Sequence, residues 1–189
     1  MRSFVVTVMS LDRPGIIAGI SDAIFKLGGN IEEISQTVVR GYFTVILYVT
    51  FPSEAPSPEE IRDAVASSGS PGELEVAVRE DKGGPRYVPP ERHDRFVLTL
   101  FGRDQPGIIR TISTHLAQNG INITDLYGRV DEGGFTMVLE LIVPSELDPR
   151  RLKEELEELG RSIGLSAHFQ HENLFKATHD LRSIAIPTL

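Results

Sequence analysis

An internal repeat constrains this chain more than any other feature. The segment from Phe4 to Pro52 aligns without a gap with the segment from Phe96 to Pro144. Both carry an Asp-x-Pro-Gly-Ile-Ile motif, which begins at Asp12 and at Asp104, and later a Gly-x-Asn-Ile motif. Because repeats decide an architecture before any local pattern does, the sequence predicts two copies of one small module.

Each copy begins with a predicted strand and helix. β-forming residues dominate 4–9 and 96–101, which predicts a first strand in each copy. We expect Pro14 and Pro106 at the first helical position, where the missing N–H has no partner to lose. Apolar residues follow at helical spacing. They are Ile16, Ile17, Ile20, Ile24 and Leu27, then Ile108, Ile109, Ile112 and Leu116.

Two further strands are predicted after this helix. Gly28 and Gly120 are expected to end the helices in a left-handed conformation. In the first copy the strands should span 30–39 and 42–51. A tight turn is expected at 40–41, and the matching turn of the second copy at 131–134.

A second helix and a closing strand complete each copy. Ser57 to Glu60 has the pattern of a capping box, and Asp148 is expected to cap the matching helix. The closing strands are predicted near 73–79 and 165–170, and a short helix near 173–181. The order βαββαβ, twice, predicts an α+β fold of two ferredoxin-like modules.

Composition shifts predict the domain boundaries. We expect module 1 at 1–80, a Gly- and Pro-rich linker at 81–94, module 2 at 95–172, and a C-terminal helix and tail at 173–189.

Charge and composition narrow the function classes. The formal net charge of −8 disfavours direct nucleic-acid binding, since no basic patch is segregated. The chain has no cysteine, which excludes disulfides and thiol chemistry and fits a reducing cytoplasm. No signal peptide or membrane-spanning run is apparent, so we expect a cytoplasmic protein without a membrane partner.

The Asp-x-Pro-Gly turn is the strongest candidate site. Unpaired N–H groups at a helix start can hold a carboxylate, and Gly15 and Gly107 let a ligand approach closely. Asp12 and Asp104 could accept hydrogen bonds from an ammonium group, so the turn suits an amino acid. The alternative is that Asp and Pro only cap a helix while Gly permits the turn, and spacing alone leaves both open.

Asn30 and Asn122 open the second strand of each copy. A side-chain amide there can bind a carboxylate and an amine together. By spacing alone, the simpler interpretation is that each Asn tolerates a left-handed turn.

The two motifs on this module resemble the ACT domain family, over nearly the whole chain. That resemblance implies amino-acid sites between pairs of modules, with no cofactor, metal or catalytic residue. The implied ligand-binding residues are Asp12, Gly15, Ile16, Asn30 and Ile31 for one site, and Asp104, Gly107, Ile108, Asn122 and Ile123 for the other.

Two such modules without a catalytic domain are most similar to the glycine-cleavage-system transcriptional repressor group. This similarity implies a non-enzymatic sensor of an amino acid such as glycine or serine, acting through a protein partner. Exposed sheet edges favour a homodimer. The copies differ at Arg13 versus Gln105 and at Gly29 versus Ile121, so one could bind while the other supports dimerisation. A dimerisation scaffold without a ligand is the alternative.

An RNA-binding ferredoxin-like module is a remote alternative. Arg40, Gly41 and Tyr42 match the start of its third-strand signature, but Thr44 and Leu47 replace the later aromatics.

An enzyme would need a catalytic or metal-binding cluster. The candidates are His168, His171, Glu172 and His179. On a strand, His168 and His171 should point to opposite faces, which is poor geometry for a metal. His93 and His115 lack the partners of a catalytic triad.

Overall fold

The computed structural model describes residues 1–52, 54–84, 86–131 and 134–178. It divides into two compact units, Met1–Arg86 (unit 1) and Tyr87–Leu189 (unit 2). Each unit has the order βαββαβ with a four-stranded antiparallel sheet, which confirms the predicted α+β class and the duplicated ferredoxin-like module.

Unit 1 contains four strands and two helices. They are β1 (Arg2–Leu11), α1 (Ile16–Lys26), β2 (Asn30–Val39), β3 (Tyr42–Phe51), α2 (Pro58–Ala66) and β4 (Glu75–Glu80). The sheet order is β2-β3-β1-β4, so β2 and β4 form its edges.

Unit 2 repeats this arrangement and adds a helix. Its elements are β5 (His93–Arg103), α3 (Ile108–Gln118), β6 (Asn122–Asp131), β7 (Gly134–Pro144), α4 (Pro149–Ser162), β8 (Leu165–His171) and α5 (Glu172–Thr178). The sheet order is β6-β7-β5-β8. The structure gives β5 an earlier start than predicted, so residues 93 and 94 are strand and not linker. Of the predicted 173–181 helix, 179–181 lie outside the described residues, as does His179.

Each unit has its own apolar core between the inner face of the sheet and its first two helices. Alternate residues of β1 and β3 point inward, and the helical apolar stripe packs on them. Ile109 departs from the prediction, because its side chain is 51% exposed. Ile108 and Ile112 already occupy the core-facing stripe, and Ile109 lies one residue, or about 100°, away from it.

The first helix of each unit begins later than predicted. Ile16 and Ile108 are the first helical residues, preceded by Gly15 and Gly107 as N-caps. The prediction that Pro14 and Pro106 take the first helical position is therefore wrong. The chain reverses through a left-handed glycine before the helix starts, which leaves each proline in the preceding turn.

The turn predicted at 131–134 includes residues 132 and 133, which lie outside the described residues. The other predicted turns and helix ends follow the chemistry of glycine and of side-chain caps. Gly28 N–H bonds the Phe25 carbonyl at 2.9 Å and Gly29 N–H bonds that of Ile24 at 3.0 Å, which is a Schellman cap. Arg40 and Gly41 both have positive φ, at 51° and 79°, as a two-residue type I′ hairpin requires. Ser57 and Glu60 form the predicted capping box, and Asp148 caps α4.

Among the described residues, no helix is long and apolar enough to cross a membrane.

Candidate functional site

The candidate site in each unit is built around a glycine N-cap. Gly15 has φ 92° and Gly107 has φ 94°, a conformation that L-residues with a β-carbon rarely adopt. In the described part of the chain no side chain caps either helix. Asp12 therefore does not cap α1; its main-chain N–H instead bonds the Gly41 carbonyl at 2.8 Å and anchors the turn to the β2–β3 hairpin.

The turn exposes its main chain and its aspartate to solvent, whereas the first isoleucine of each helix is buried. Asp12 and Gly15 are exposed, whereas Ile16 and Ile108 are core residues, each 3% exposed. The two isoleucines can therefore contribute only their N–H groups to a ligand. Amides of a first helical turn point away from the helix and carry partial positive charge, so this turn can hold a carboxylate beside the acidic Asp12.

A side chain ties the turn to the loop that precedes the last strand. In unit 1, Arg13 forms an ion pair with Glu73 and also donates to the Pro14 carbonyl at 3.1 Å. The Arg13 guanidinium lowers the pKa of the Glu73 carboxyl to about 2, helped by the Ser70 N–H. The guanidinium also lies beside Gly15, 3.8 Å from where a β-carbon would stand.

Unit 2 makes the same tie without charge. Gln105, which matches Arg13, donates from its amide to the Ile163 carbonyl in the α4–β8 loop. The difference that the sequence showed between the copies is therefore a change of partner, and the tie itself is kept. Sequence reasoning missed both ties because each joins residues about 60 positions apart, and no local pattern marks the partner.

Asn30 and Asn122 each open an edge strand and are followed by a β-bulge. The register shifts between Ile31 and Glu33 in unit 1, and between Ile123 and Asp125 in unit 2. A bulge re-aims the residues around it, and these occupy matching places in the two copies. At the first bulge the Thr50 hydroxyl donates to the Glu32 carboxylate at 2.9 Å.

Within one unit, the sheet register separates Asp12 from Asn30. Leu11, which precedes Asp12, pairs with Tyr42 at the start of β3, whereas Asn30 pairs with Thr50 near its end. The strand between those two partners spans roughly 26 Å at about 3.3 Å per residue. The structure thus does not bring the two predicted polar groups together inside a unit. Unit 2 has the same register, with the pairs Arg103–Gly134 and Asn122–Ile142.

The strands that carry these asparagines are exposed along their length. β2 runs for ten residues at the sheet edge, and Ile34, Val38 and Val39 are 49%, 40% and 61% exposed. β6 likewise exposes Leu126, Tyr127 and Val130. A long apolar edge with unpaired main-chain groups is a surface on which another strand can pair.

The described histidines do not form a metal-binding cluster. His168 stacks on Phe101 and His171 contacts Phe96 edge-on, and these partners lie on opposite faces of the sheet, as predicted. His115 on α3 lines a cavity with residues of α4, and its buried Nε2 has no hydrogen-bond partner among the residues that the structure describes. In the part of the chain with described positions, no three acidic or histidine residues could hold a metal ion.

The chain therefore consists of two α+β modules in tandem, each with a glycine-capped turn before its first helix. Residues 2–77 and residues 96–161 both match the ACT domain family, and the chain belongs to that family. A UPF0237 protein of Methanococcus maripaludis is 40% identical over 88 residues, which are 46% of this chain and 97% of that protein. One from Methanopyrus kandleri is 39% identical over 87 residues, 45% of this chain and 96% of its own.

Longer similarities cover both modules. The phosphoserine phosphatase SerB2 of Mycobacterium tuberculosis is 27% identical over 143 residues, 75% of this chain but only 34% of that enzyme. Among solved structures, an unknown protein from Galdieria sulphuraria aligns with a TM-score of 0.72 and 24% identity, over 90% of this chain and 98% of its own. A candidate glycine cleavage system transcriptional repressor aligns at 0.61 and 18%, over the same shares. These two structures share the fold.

Proposed function

We propose that this chain is a non-enzymatic regulatory protein that binds a small amino acid, such as glycine or serine, through its ACT domains. One observation carries the proposal. Two modules that differ at many positions keep the same glycine-capped helix start, with φ of 92° and 94°, next to an exposed Asp. A helix that only needed a start would be served better by a Ser, Thr or Asp cap, as α2 and α4 are.

The ligand chemistry follows from the groups at the turn. Main-chain amides of the first helical turn bind the ligand carboxylate, and Asp12 or Asp104 accepts hydrogen bonds from its ammonium group. The exposed glycine leaves no β-carbon between the ligand and the main chain. These requirements suit an amino acid with a small side chain.

A second copy of the chain completes each site. Asn30 and the Asp12 turn lie at opposite ends of one sheet, so one module cannot use both. Antiparallel pairing of β2 with β2 of a second copy reverses one sheet relative to the other. Asn30 of one subunit then reaches the end of the sheet where the partner subunit's turn lies. The same reasoning applies to Asn122 and Asp104, and it makes the homodimer the binding unit.

The first experiment is thermal unfolding against a panel of amino acids at millimolar concentration. A ligand at one hundred times its dissociation constant adds about 2.7 kcal/mol, a shift that is easily measured. We expect a shift with glycine or serine that is lost in Asp12→Ala and Asn30→Ala, or in Asp104→Ala and Asn122→Ala, according to which copy binds. Absence of any shift across the panel would reject the amino-acid sensor.

A mixing experiment tests the shared site. If unit 1 binds, Asp12→Ala and Asn30→Ala subunits, each inactive as homodimers, are unfolded together and refolded at equal concentration; if unit 2 binds, Asp104→Ala and Asn122→Ala subunits are used. A mixed dimer contains one intact site and one doubly altered site, so binding should return to about half of the sites in that fraction. A site formed within a single module would give no recovery.

We further propose that the signal passes to a protein partner in the cytoplasm, in a role of the transcriptional repressor type. The net charge of −8 disfavours a direct contact with DNA phosphates. Ligand-dependent co-purification of one partner, lost in the binding-deficient variant, would support this role. Equal capture of the partner by the wild type and by the binding-deficient variant would contradict this role.

A dimerisation scaffold without ligand is the second candidate, favoured by the long exposed edges of β2 and β6. The scaffold predicts a stable dimer with no thermal shift in the presence of amino acids. The sensor predicts a stable dimer and a thermal shift.

A further inference from the structure

The short helix α5 contacts β5 and β8 of the unit 2 sheet, and its Glu172 lines one small cavity with Val97 on the face turned away from α3 and α4. Val97 and Ile142 are each 3% exposed, yet neither belongs to the apolar core on the inner face. α5 contacts β5 and β8, and its Phe175 is buried. The helix therefore lies beside Val97, whereas the matching Val5 of unit 1, where no such helix follows the last strand, is only half-buried.

His171 fastens the start of this helix. It is the last residue of β8 and directly precedes α5, and its Nδ1 accepts a hydrogen bond from the Asn173 N–H at 3.2 Å. This is the geometry of an N-cap, in which a side chain accepts from the second helical amide. Nδ1 can accept only while it carries no proton, so the cap requires neutral imidazole.

The duplicated sheet identifies a second partner for the same ring. In unit 1, Arg2 stands two residues before Phe4, and Glu80 pairs opposite Phe4. Arg2 and Glu80 form an ion pair at 2.8 Å. Asp94 stands two residues before Phe96, and His171 pairs opposite Phe96.

Unit 2 thus carries the same pair of strand positions with the charges reversed, once His171 is protonated. Asp94 makes a long hydrogen bond of 3.4 Å with the Ser145 hydroxyl, a contact it can give up.

We propose that His171 is a pH-sensitive latch for α5. Neutral His171 caps the helix and holds it on the sheet. Protonated His171 cannot accept from Asn173, opposes the positive end of the helix and pairs with Asp94. α5 then leaves the sheet and uncovers Val97.

Other charged groups lie around this end of the sheet. Arg95 on β5, Glu140 on β7 and Glu172 on α5 line one small cavity beside Val97. α4 runs back along β8, so its first turn brings Asp148 and Arg150 to the same end. These neighbours include both positive and negative side chains. Among the acids, Asp94 occupies the strand position that matches Arg2 of the Arg2–Glu80 ion pair.

Hydrogen exchange of the α5 amides tests the latch in the full chain. His171→Asn keeps a capping side chain that does not titrate, so it is the matched control at every pH. At pH 8 the wild type and this variant should exchange at equal rates. At pH 5 the α5 amides of the wild type should exchange about five-fold faster than those of His171→Asn, the ratio that corresponds to loss of one N-cap. Equal rates at both pH values would overturn the proposal.

Two further readouts separate release of α5 from general unfolding. Amides of β7 should keep their protection at pH 5, and their loss together with α5 would mean acid unfolding of the unit and would overturn the latch. Asp94→Asn removes the partner of the charged ring, so release should shift to lower pH. An unchanged midpoint in that variant would overturn the exchange of partners.

Discussion

The ring of Phe51 fills the space beside Gly29, where a β-carbon would lie 2.6 Å from the ring atom Cε1. Unit 2 fills the same volume from the other side: Ile121 replaces Gly29 and Val143 replaces Phe51, and both are buried. The Gly29/Ile121 difference between the two copies is therefore one half of a compensated pair in the core. It carries no information about which copy binds a ligand.

This pairing predicts strong coupling between the two positions. Gly29→Ile should destabilise unit 1 by about 1–3 kcal/mol, because a close-packed core gives little way to added carbons. Adding Phe51→Val opens the space and should restore part of the loss. Chemical denaturation of both single variants and the double variant measures the coupling. Simple additivity of the two effects would contradict the shared volume.

The Arg13–Glu73 pair predicts a pH-dependent stability of unit 1. The folded pKa of Glu73 is about 2 against 4.5 for the free side chain, so its contribution is complete above pH 4.5. The contribution disappears as the pH falls from 4.5 towards 2. Glu73→Gln should therefore unfold at a lower temperature than wild type at pH 7, and this gap should narrow across that window.

Glu75 supplies the control for this measurement. It is exposed on β4 and is two residues away. Glu75→Gln should match wild type at each pH, so a pH-dependent gap of the same size in that variant would assign the effect to general charge and not to the tie with Arg13.

The capping box at the start of α2 predicts that removal of the Ser57 side chain lowers the stability of this helix. The Ser57 hydroxyl accepts from the Glu60 N–H at 3.2 Å, and the Glu60 carboxylate accepts from the Ser57 N–H at 2.7 Å. Ser57→Ala should cost about 1 kcal/mol in thermal or denaturant unfolding. Ser57→Asn keeps a capping side chain and should stay near wild type, and a loss as large as that of Ser57→Ala would contradict the role of the cap.

The sequence predicts the fold closely wherever local chemistry decides it. The bounds of β2 and β3, the Arg40–Gly41 turn and the caps at Ser57 and Asp148 follow from alternation, glycine and capping side chains. The prediction for Pro14 is wrong because a proline before a helix and a proline in its first turn look alike in the sequence. The left-handed φ of Gly15 distinguishes the two arrangements, and no spacing rule reveals it.

The candidate site is less predictable because it depends on distant pairings. The motif identifies Asp12 and Asn30 as polar groups near glycines, but only the strand register places them at opposite ends of β3. The bulge after Ile31 also depends on the partner strand.

The exposed edge of β2 gives the most direct test of dimerisation. Ile34 and Val38 face the helix side of the sheet, yet both stay 40% exposed or more. Introducing charge at an edge strand opposes pairing with another strand. Ile34→Lys with Val38→Lys should therefore convert the proposed dimer to a monomer by light scattering, and the proposed ligand binding should be lost with it. Ala77→Lys, on the opposite edge strand β4, adds one positive charge to that edge and should leave the proposed dimer and its binding unchanged. A dimer that survives Ile34→Lys with Val38→Lys but not Ala77→Lys would assign the interface to β4 instead of β2. The interface would then be separate from the asparagines.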